Sequence, residues 1–131
     1  VCQLPPDSGV FAFPANYLSR VIKNADPTSV VSDIQAYNVN ILKCTVLLMP
    51  LIIGEHHSLL VLYNPSLALS NQKTSKSFMM LLDSSRQSIV DKTQISNRVR
   101  SWLNRVLVND DSSPNGNRFT DTNFRLHAPE G

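Results

Sequence analysis

Three apolar runs in the middle of the chain constrain the fold more than any other feature. The first, CTVLLMPLII, predicts a strand from Cys44 to about Pro50, and SLLVLY and FMMLLD predict strands at Ser58–Tyr63 and Phe78–Asp83. Each run is short and nearly continuously apolar, which is typical of a buried strand. The sequence therefore predicts a small central sheet of at least three strands.

Helical spacing flanks these runs on both sides. The stretch PANYLSRVIKNADP predicts a short helix with Pro14 near its start and Asn24 to Pro27 at its end, and a second short apolar element is predicted from Ser29 to Tyr37. From Lys92 onward the period is again helical. The apolar stripe of this last helix consists of Ile95, Val99, Trp102, Leu103, Val106 and Leu107. Helices packed against a sheet make α+β the expected fold class.

The remaining charged and turn-rich segments carry weaker signals. Arg98, Arg100 and Arg105 are expected to form a solvated face of the last helix. Turn residues are dense after this helix, with the hint of a strand around Phe124 to Leu126. His127 is interpreted as a lone histidine in a loop.

The composition limits the partners and the compartment. With 131 residues the chain is expected to form one domain, 1–131, with a real hydrophobic core. A net charge of +2 is too small to indicate a nucleic-acid partner. No apolar run approaches the roughly 20 residues of a membrane span, and the N-terminus lacks the features of a signal peptide. We therefore expect neither a nucleic-acid nor a membrane partner, and an intracellular location in the nucleus or cytoplasm.

The two cysteines do not indicate a disulfide framework or a zinc site. Cys2 and Cys44 are too few and have no metal-ligand spacing. Cys44 lies within an apolar run and is interpreted as a small core hydrophobe, while Cys2 lies near a terminus with no helix dipole immediately after it. Neither is expected to be a nucleophile.

Two adjacent histidines, His56 and His57, stand at the head of the second predicted strand, and Asp83 ends the third. If these strands are antiparallel neighbours, the start of one and the end of the other meet at one edge of the sheet. An aspartate that accepts a hydrogen bond from an imidazole fixes its tautomer and leaves the other nitrogen free to take a proton. The simpler interpretation is a hydrogen-bonded structural histidine pair and an ordinary turn at Asp-Ser-Ser.

The order of these motifs resembles the ubiquitin-like protease family, the Ulp/SENP cysteine peptidases. In that family an apolar strand with a proline precedes His-Trp-x-Leu-x-Val, and a later strand ends in Tyr-Asp-Ser-Leu or Met-Asp-Ser-Leu. The corresponding stretches here are VLLMPLIIGEHHSLLVL and FMMLLDSSR. The resemblance covers roughly Val39 to Leu107, and the N-terminal helix shows a weaker similarity to the family.

This resemblance implies a papain-like α+β fold and a peptidase that hydrolyses the bond after the C-terminal glycine of SUMO, ubiquitin or a similar modifier. It makes His56 the general base and Asp83 the residue that orients the imidazole, while His57 stands where the family usually has tryptophan. It implies no metal and no cofactor.

The family's nucleophile segment, Gln-x-Asn followed by Asp-Cys-Gly, has no counterpart after the last helix. We therefore interpret residues 1–131 as the front part of such a domain, inactive alone, with the cysteine segment missing or carried on a second chain. The stretch DSGVF at Asp7–Phe11 has serine in the cysteine position, but it stands in the wrong order and is interpreted as coincidence. The alternative is a non-catalytic module that binds a modifier or is a structural subunit of a larger assembly.

Overall fold

The computed structural model describes residues 9–23, 28–34, 41–53, 55–69, 77–83, 92–110 and 118–127, without the side chains of residues 28, 29, 53, 83 and 108–110. In chain order the elements are β1 (Val10–Ala12), α1 (Tyr17–Lys23), α2 (Thr28–Ser32), β2 (Val46–Ile53), β3 (His56–Tyr63), β4 (Phe78–Asp83), α3 (Lys92–Asp110) and β5 (Arg125–His127). Short 3-10 turns occupy Ile41–Lys43 and Pro65–Leu69.

The five strands form one sheet in the order β1-β2-β3-β4-β5. The three central strands are antiparallel to one another, whereas β1 is parallel to β2 and β5 is parallel to β4. The three predicted strands are present, and β4 has the predicted bounds. Strand β2 begins two residues later and ends three residues later than predicted, and β3 begins at His56 rather than Ser58.

Strand β1, which the sequence pattern did not predict, is attached to β2 at both of its ends. The Gly9 carbonyl accepts hydrogen bonds from the N–H groups of Thr45 and Val46 at 2.7 and 3.0 Å, and Gly9 has a φ of 74°. A Cβ at this position would lie 3.0 Å from the Thr45 hydroxyl oxygen, so glycine suits both the backbone angle and the space. At the other end the Phe13 N–H donates to the Leu48 carbonyl at 2.9 Å.

Pro50 ends this parallel ladder. Backbone polar groups alternate between the two sides of a strand, so the position of Pro50 faces β1 as Leu48 does. Proline has no N–H with which to continue the ladder, and β1 stops at Ala12. Among the described residues, the part of β2 after Pro50 forms backbone pairs with β3 alone.

The helices α1 and α3 cover one face of the sheet. The predicted stripe of α3 is buried throughout. At its centre the Trp102 ring lies 5.6 Å from Phe13 and 5.9 Å from Tyr17, and its Nε1–H donates to the Tyr17 hydroxyl at 3.1 Å. The Tyr17 hydroxyl in turn donates to the Val30 carbonyl at 2.8 Å, which joins α1, α2 and α3 in one core. None of the described helices is long and apolar enough to cross a membrane.

Two predictions for the last part of the chain were wrong. Arg100 is not simply solvated, because its Nε–H donates to the Phe124 carbonyl at 2.8 Å. Burial lowers the pKa of this guanidinium, and Asp121 opposes that shift. His127 lies in β5 rather than in a loop, with its ring 5.6 Å from Phe78. The predicted bounds at Asn24 to Pro27 and at the end of the second apolar element lie outside the described residues.

Candidate functional site

The hairpin between β2 and β3 fixes the position of the two histidines. Ile53 pairs with His56 as the last rung of the antiparallel ladder between the two strands. This register decides which face of the sheet each side chain occupies. His56 is the first residue of β3 and pairs with Ile53, the last residue of β2. Strand β1 pairs with the opposite end of β2, at Val46–Leu48.

The alternation of side chains along β3 places the histidines on opposite faces. His56 shares a face with Ser58, Leu60 and Leu62, which are all buried on the helix-covered side of the sheet. His57 is on the other face and is exposed. His56 is half-buried, and its Nε2 atom is buried. Of the two histidines, His56 is therefore the one that lies at the end of the core face.

Asp83 lies at the same end of the same face. It is the last residue of β4 and pairs with Ser58 across the antiparallel ladder. Asp83 is two residues after Leu81, which is buried on the core face. Because successive residues of a strand alternate between the two faces, the position of Asp83 belongs to the same face as Leu81. His56 is two residues from Ser58, so it is the diagonal cross-strand neighbour of Asp83. Diagonal neighbours are about 7–8 Å apart, within reach of long and aromatic side chains. The hydrogen bond between the two side chains stays a prediction.

Cys44 lies at the opposite end of β2. It precedes β2 by two positions and is nine residues from Ile53, the partner of His56. At about 3.3 Å per strand residue, roughly 30 Å separate it from the site. Cys44 is buried, and burial raises the pKa of its thiol, which disfavours the reactive thiolate. These facts fit the predicted role of Cys44 as a core residue, whereas Cys2 and the Asp7–Ser8 part of DSGVF lie outside the described residues.

An apolar rim lies on the outer face at the same end of the sheet. Ile52 pairs with His57, and Leu59 pairs with Leu82. Ile52 and Leu82 are 38% and 42% exposed, unusually high for leucine and isoleucine in central strands. No three His, Cys, Asp or Glu side chains of the described ranges lie close enough together to hold a metal ion.

The comparisons with known proteins give a structural likeness. No family model matches the chain, and no curated protein matches it. A solved crystal structure described as that of "the de-sumoylating protease" is similar, with a TM-score of 0.66 and 15% sequence identity. The match covers 93% of this chain and 43% of that chain, so this chain spans less than half the length of the solved one. The chain therefore has a small mixed α/β fold with a five-stranded sheet, similar to part of a de-sumoylating protease.

Proposed function

We propose that residues 1–131 are the front part of a papain-like, Ulp/SENP-type cysteine peptidase domain that acts on a ubiquitin-like modifier. The observation that carries the proposal is the register. It brings His56 and Asp83 to one end and one face of two neighbouring antiparallel strands. The likeness to a de-sumoylating protease supports this interpretation and favours SUMO as the modifier.

In the proposed reaction the nucleophile is a cysteine on polypeptide beyond these 131 residues. Cys44 is about 30 Å along the sheet and buried, which argues against it as the source of the thiolate. His56 takes the thiol proton, and the thiolate attacks the carbonyl carbon after the modifier's terminal glycine. His56 then gives the proton to the leaving amine, and a thioester forms.

Water completes the cycle. His56 takes a proton from a water molecule, which attacks the thioester carbonyl and releases the modifier carboxylate and the thiol. Asp83 accepts a hydrogen bond from the His56 ring N–H, so that the second ring nitrogen is kept in the form that accepts a proton. His56 is half-buried, so part of its side chain remains accessible to a reactant, as this role requires.

The test is hydrolysis of a SUMO or ubiquitin C-terminal aminomethylcoumarin amide. The enzyme is the chain together with the polypeptide encoded after Gly131, or mixed with a second chain that carries an Asp-Cys-Gly segment. We expect turnover that His56→Ala lowers by about 100-fold or more and Asp83→Asn by up to about 10,000-fold. His57→Ala is the matched control, because the neighbouring histidine faces away from the site. Absence of turnover, or equal loss in both histidine variants, would contradict the proposal.

A second candidate function is a non-catalytic module that binds a modifier. The exposed apolar rim of Ile52 and Leu82 favours it, since exposed apolar clusters commonly mark binding surfaces. Titration of ¹⁵N-labelled chain with SUMO and with ubiquitin tests this function. Binding that Ile52→Ser and Leu82→Ser weaken, with no turnover in the hydrolysis test, would favour the module over the peptidase.

A further inference from the structure

The outer edge of β2 changes at Pro50. Up to Leu48 this edge is paired with β1 and with Phe13, whose N–H donates to the Leu48 carbonyl at 2.9 Å. After Phe13 the chain turns into α1, and the Tyr17 N–H donates to the Pro14 carbonyl at 3.1 Å. The remaining part of the edge, from Pro50 to the end of β2, has no strand beside it among the described residues.

Three backbone polar groups lie on this open edge. The backbone groups of Pro50 and Ile52 point to the β1 side, because they alternate in the same phase as the Leu48 carbonyl. The pair between Ile52 and His57 is consequently of the non-hydrogen-bonded kind. Within the described ranges, the Pro50 carbonyl, the Ile52 N–H and the Ile52 carbonyl have no hydrogen-bond partner. Such a row of backbone groups is a template for one further extended segment.

The length of the open edge favours a short peptide as its occupant. The edge begins after the Phe13 bond and ends at Ile53, the last residue of β2, so its positions from Pro50 onward span roughly 13 Å. A stable interface between two copies of a chain buries roughly 800 Å² on each copy, which is more than so short an edge supplies. Pro50 has no N–H, and this further limits pairing with a long strand.

The same edge lies beside the proposed site. Ile53 pairs with His56, so a peptide that lies along β2 ends level with His56, two strand spacings or roughly 10 Å from β3. Strand β1 is parallel to β2. A peptide that continues the line of β1 in the same direction therefore has its C-terminus at the His56 end. Hydrolysis after the C-terminal glycine of a modifier requires this direction.

We propose that the edge of β2 from Pro50 to Ile52 binds the extended C-terminal tail of the modifier as a short parallel strand, an inference that rests on the proposed function. Two N–H groups of the tail donate to the Pro50 and Ile52 carbonyls, and the Ile52 N–H donates to the tail carbonyl between them. The Ile52 side chain, 38% exposed on the outer face, contacts the tail side chain at the paired position. Ile52 therefore favours an apolar or β-branched tail residue at this position.

The test is NMR spectroscopy of the ¹⁵N-labelled 131-residue chain titrated with the peptide acetyl-Thr-Val-Gly-Gly-amide, in which the valine is placed to pair with Ile52. At saturation we expect the Ile52 N–H to exchange with water about tenfold more slowly, because it gains an acceptor. A nitroxide at the peptide N-terminus should broaden the Leu48 amide signal more than the His57 amide signal. The reverse order would overturn the parallel direction.

Methylated peptides identify the bonds in the wild-type chain. Methylation of the first glycine nitrogen removes a donor that faces β2, and it should weaken binding about tenfold. Methylation of the valine nitrogen is the matched control, because that N–H faces away from β2, and it should weaken binding less than about twofold. Equal binding of the two methylated peptides, or an Ile52 N–H that the peptide does not protect, would overturn the edge site.

Two substitutions test the same bonds from the side of the protein. Ile52→Pro removes the N–H of the open edge and leaves the hydrogen-bonded pairs between β2 and β3, and it should raise the Kd at least about tenfold. Ile52→Ala keeps this N–H and should raise the Kd about threefold through the lost side-chain contact. The methylated peptides act on the wild-type chain, so the result does not depend on the folding of Ile52→Pro.

The outcomes separate this inference from the proposed function. If the hydrolysis test shows turnover while the peptide leaves Ile52 unaffected, the peptidase stands and the edge site is overturned. If the peptide protects Ile52 and no turnover is found, the edge site stands as that of a modifier-binding module and the peptidase is rejected. Protection of the Ile52 N–H that rises with chain concentration without peptide would assign the edge to a second copy and overturn the proposal.

Discussion

Asn104 and Phe119 are joined by two hydrogen bonds. The Asn104 Nδ2–H donates to the Phe119 carbonyl at 3.1 Å, and the Phe119 N–H donates to Asn104 Oδ1 at 2.7 Å. One amide side chain of α3 thus satisfies both backbone groups of a buried phenylalanine, whose ring contacts Phe124 at 5.5 Å. Together with the bond from Arg100 to the Phe124 carbonyl, it attaches the segment before β5 to the helix.

Asn104→Ala should lower the free energy of unfolding by about 1–3 kcal/mol, because it removes two partly buried hydrogen bonds. Urea denaturation followed by circular dichroism measures the change. Asn97→Ala is the control, since Asn97 lies in the same helix and makes an exposed bond with Arg100. Both substitutions change the helix propensity equally, and the control should stay within about 0.5 kcal/mol of wild type. Equal effects would show that the double bond adds no stability.

Tyr17→Phe should destabilise the chain by about 1–3 kcal/mol, because the Val30 carbonyl and the Trp102 Nε1–H both lose a buried partner. Phenylalanine retains the ring, so the loss in free energy of unfolding measures the contribution of the hydroxyl alone. Tyr63→Phe is a matched substitution on the sheet, where the ring stacks on Phe78 at 5.3 Å. If the two variants have the same midpoint in urea, the hydrogen-bonded chain through Tyr17 does not contribute as we infer.

Leu81→Ala should lower the free energy of unfolding by about 2–5 kcal/mol, because the side chain is 1% exposed in the core. Its neighbour Leu82 is on the other face and 42% exposed, so Leu82→Ala should lower it by less than about 1 kcal/mol. Thermal and urea denaturation of the two variants give the comparison. A reversed order would mean that the outer face of β4 is the more buried one.

The stability of the chain should fall at alkaline pH through Cys44. Burial raises the pKa of this thiol above its ordinary value of 9.0, so the unfolded chain loses the proton at a lower pH than the folded chain. Above this pH the unfolded state binds fewer protons, and the free energy of unfolding declines by at most roughly 1.4 kcal/mol per pH unit.

Cys44→Ala removes this contribution. The stability difference between wild type and variant should be constant below about pH 8 and should shrink as the pH rises above the ordinary thiol pKa of 9.0. Urea denaturation at a series of pH values measures it. A difference that does not change with pH would contradict the assignment of a buried, protonated thiol.

His57 should react with diethyl pyrocarbonate faster than His56, because His57 is exposed whereas the Nε2 atom of His56 is buried. Tandem mass spectrometry of the modified peptide distinguishes the two neighbours. In urea the two rates should converge as β3 unfolds. Faster modification of His56 in the folded chain would contradict the register that places it on the core face.

The main elements were predictable because their patterns are long. The six-residue run Phe78–Asp83 and the stripe of α3 carry enough apolar positions to identify the strand, the helix and its buried face. Strand β1 was not predictable, since it has three residues and depends on Gly9 and Phe13, whose hydrogen bonds form with distant parts of the chain. Parallel pairing at both edges of the sheet likewise has no local signal.

The site was predictable in part. The pattern of β3 does not distinguish its two faces, because the positions that alternate with His56 and those that alternate with His57 are both mostly apolar. Resemblance to a family selected His56, and the alternation of buried side chains along β3 places that residue on the core face.

The aromatic contact between α1 and α3 gives the chain an intrinsic optical reporter. Trp102 is the sole tryptophan in the sequence, is fully buried and lies within 6 Å of the Tyr17 ring. Its fluorescence emission should therefore be blue-shifted in the folded chain and should follow the separation of the two helices. The strand end that carries His56 contains no such fluorophore, so local opening there would leave the emission spectrum unchanged.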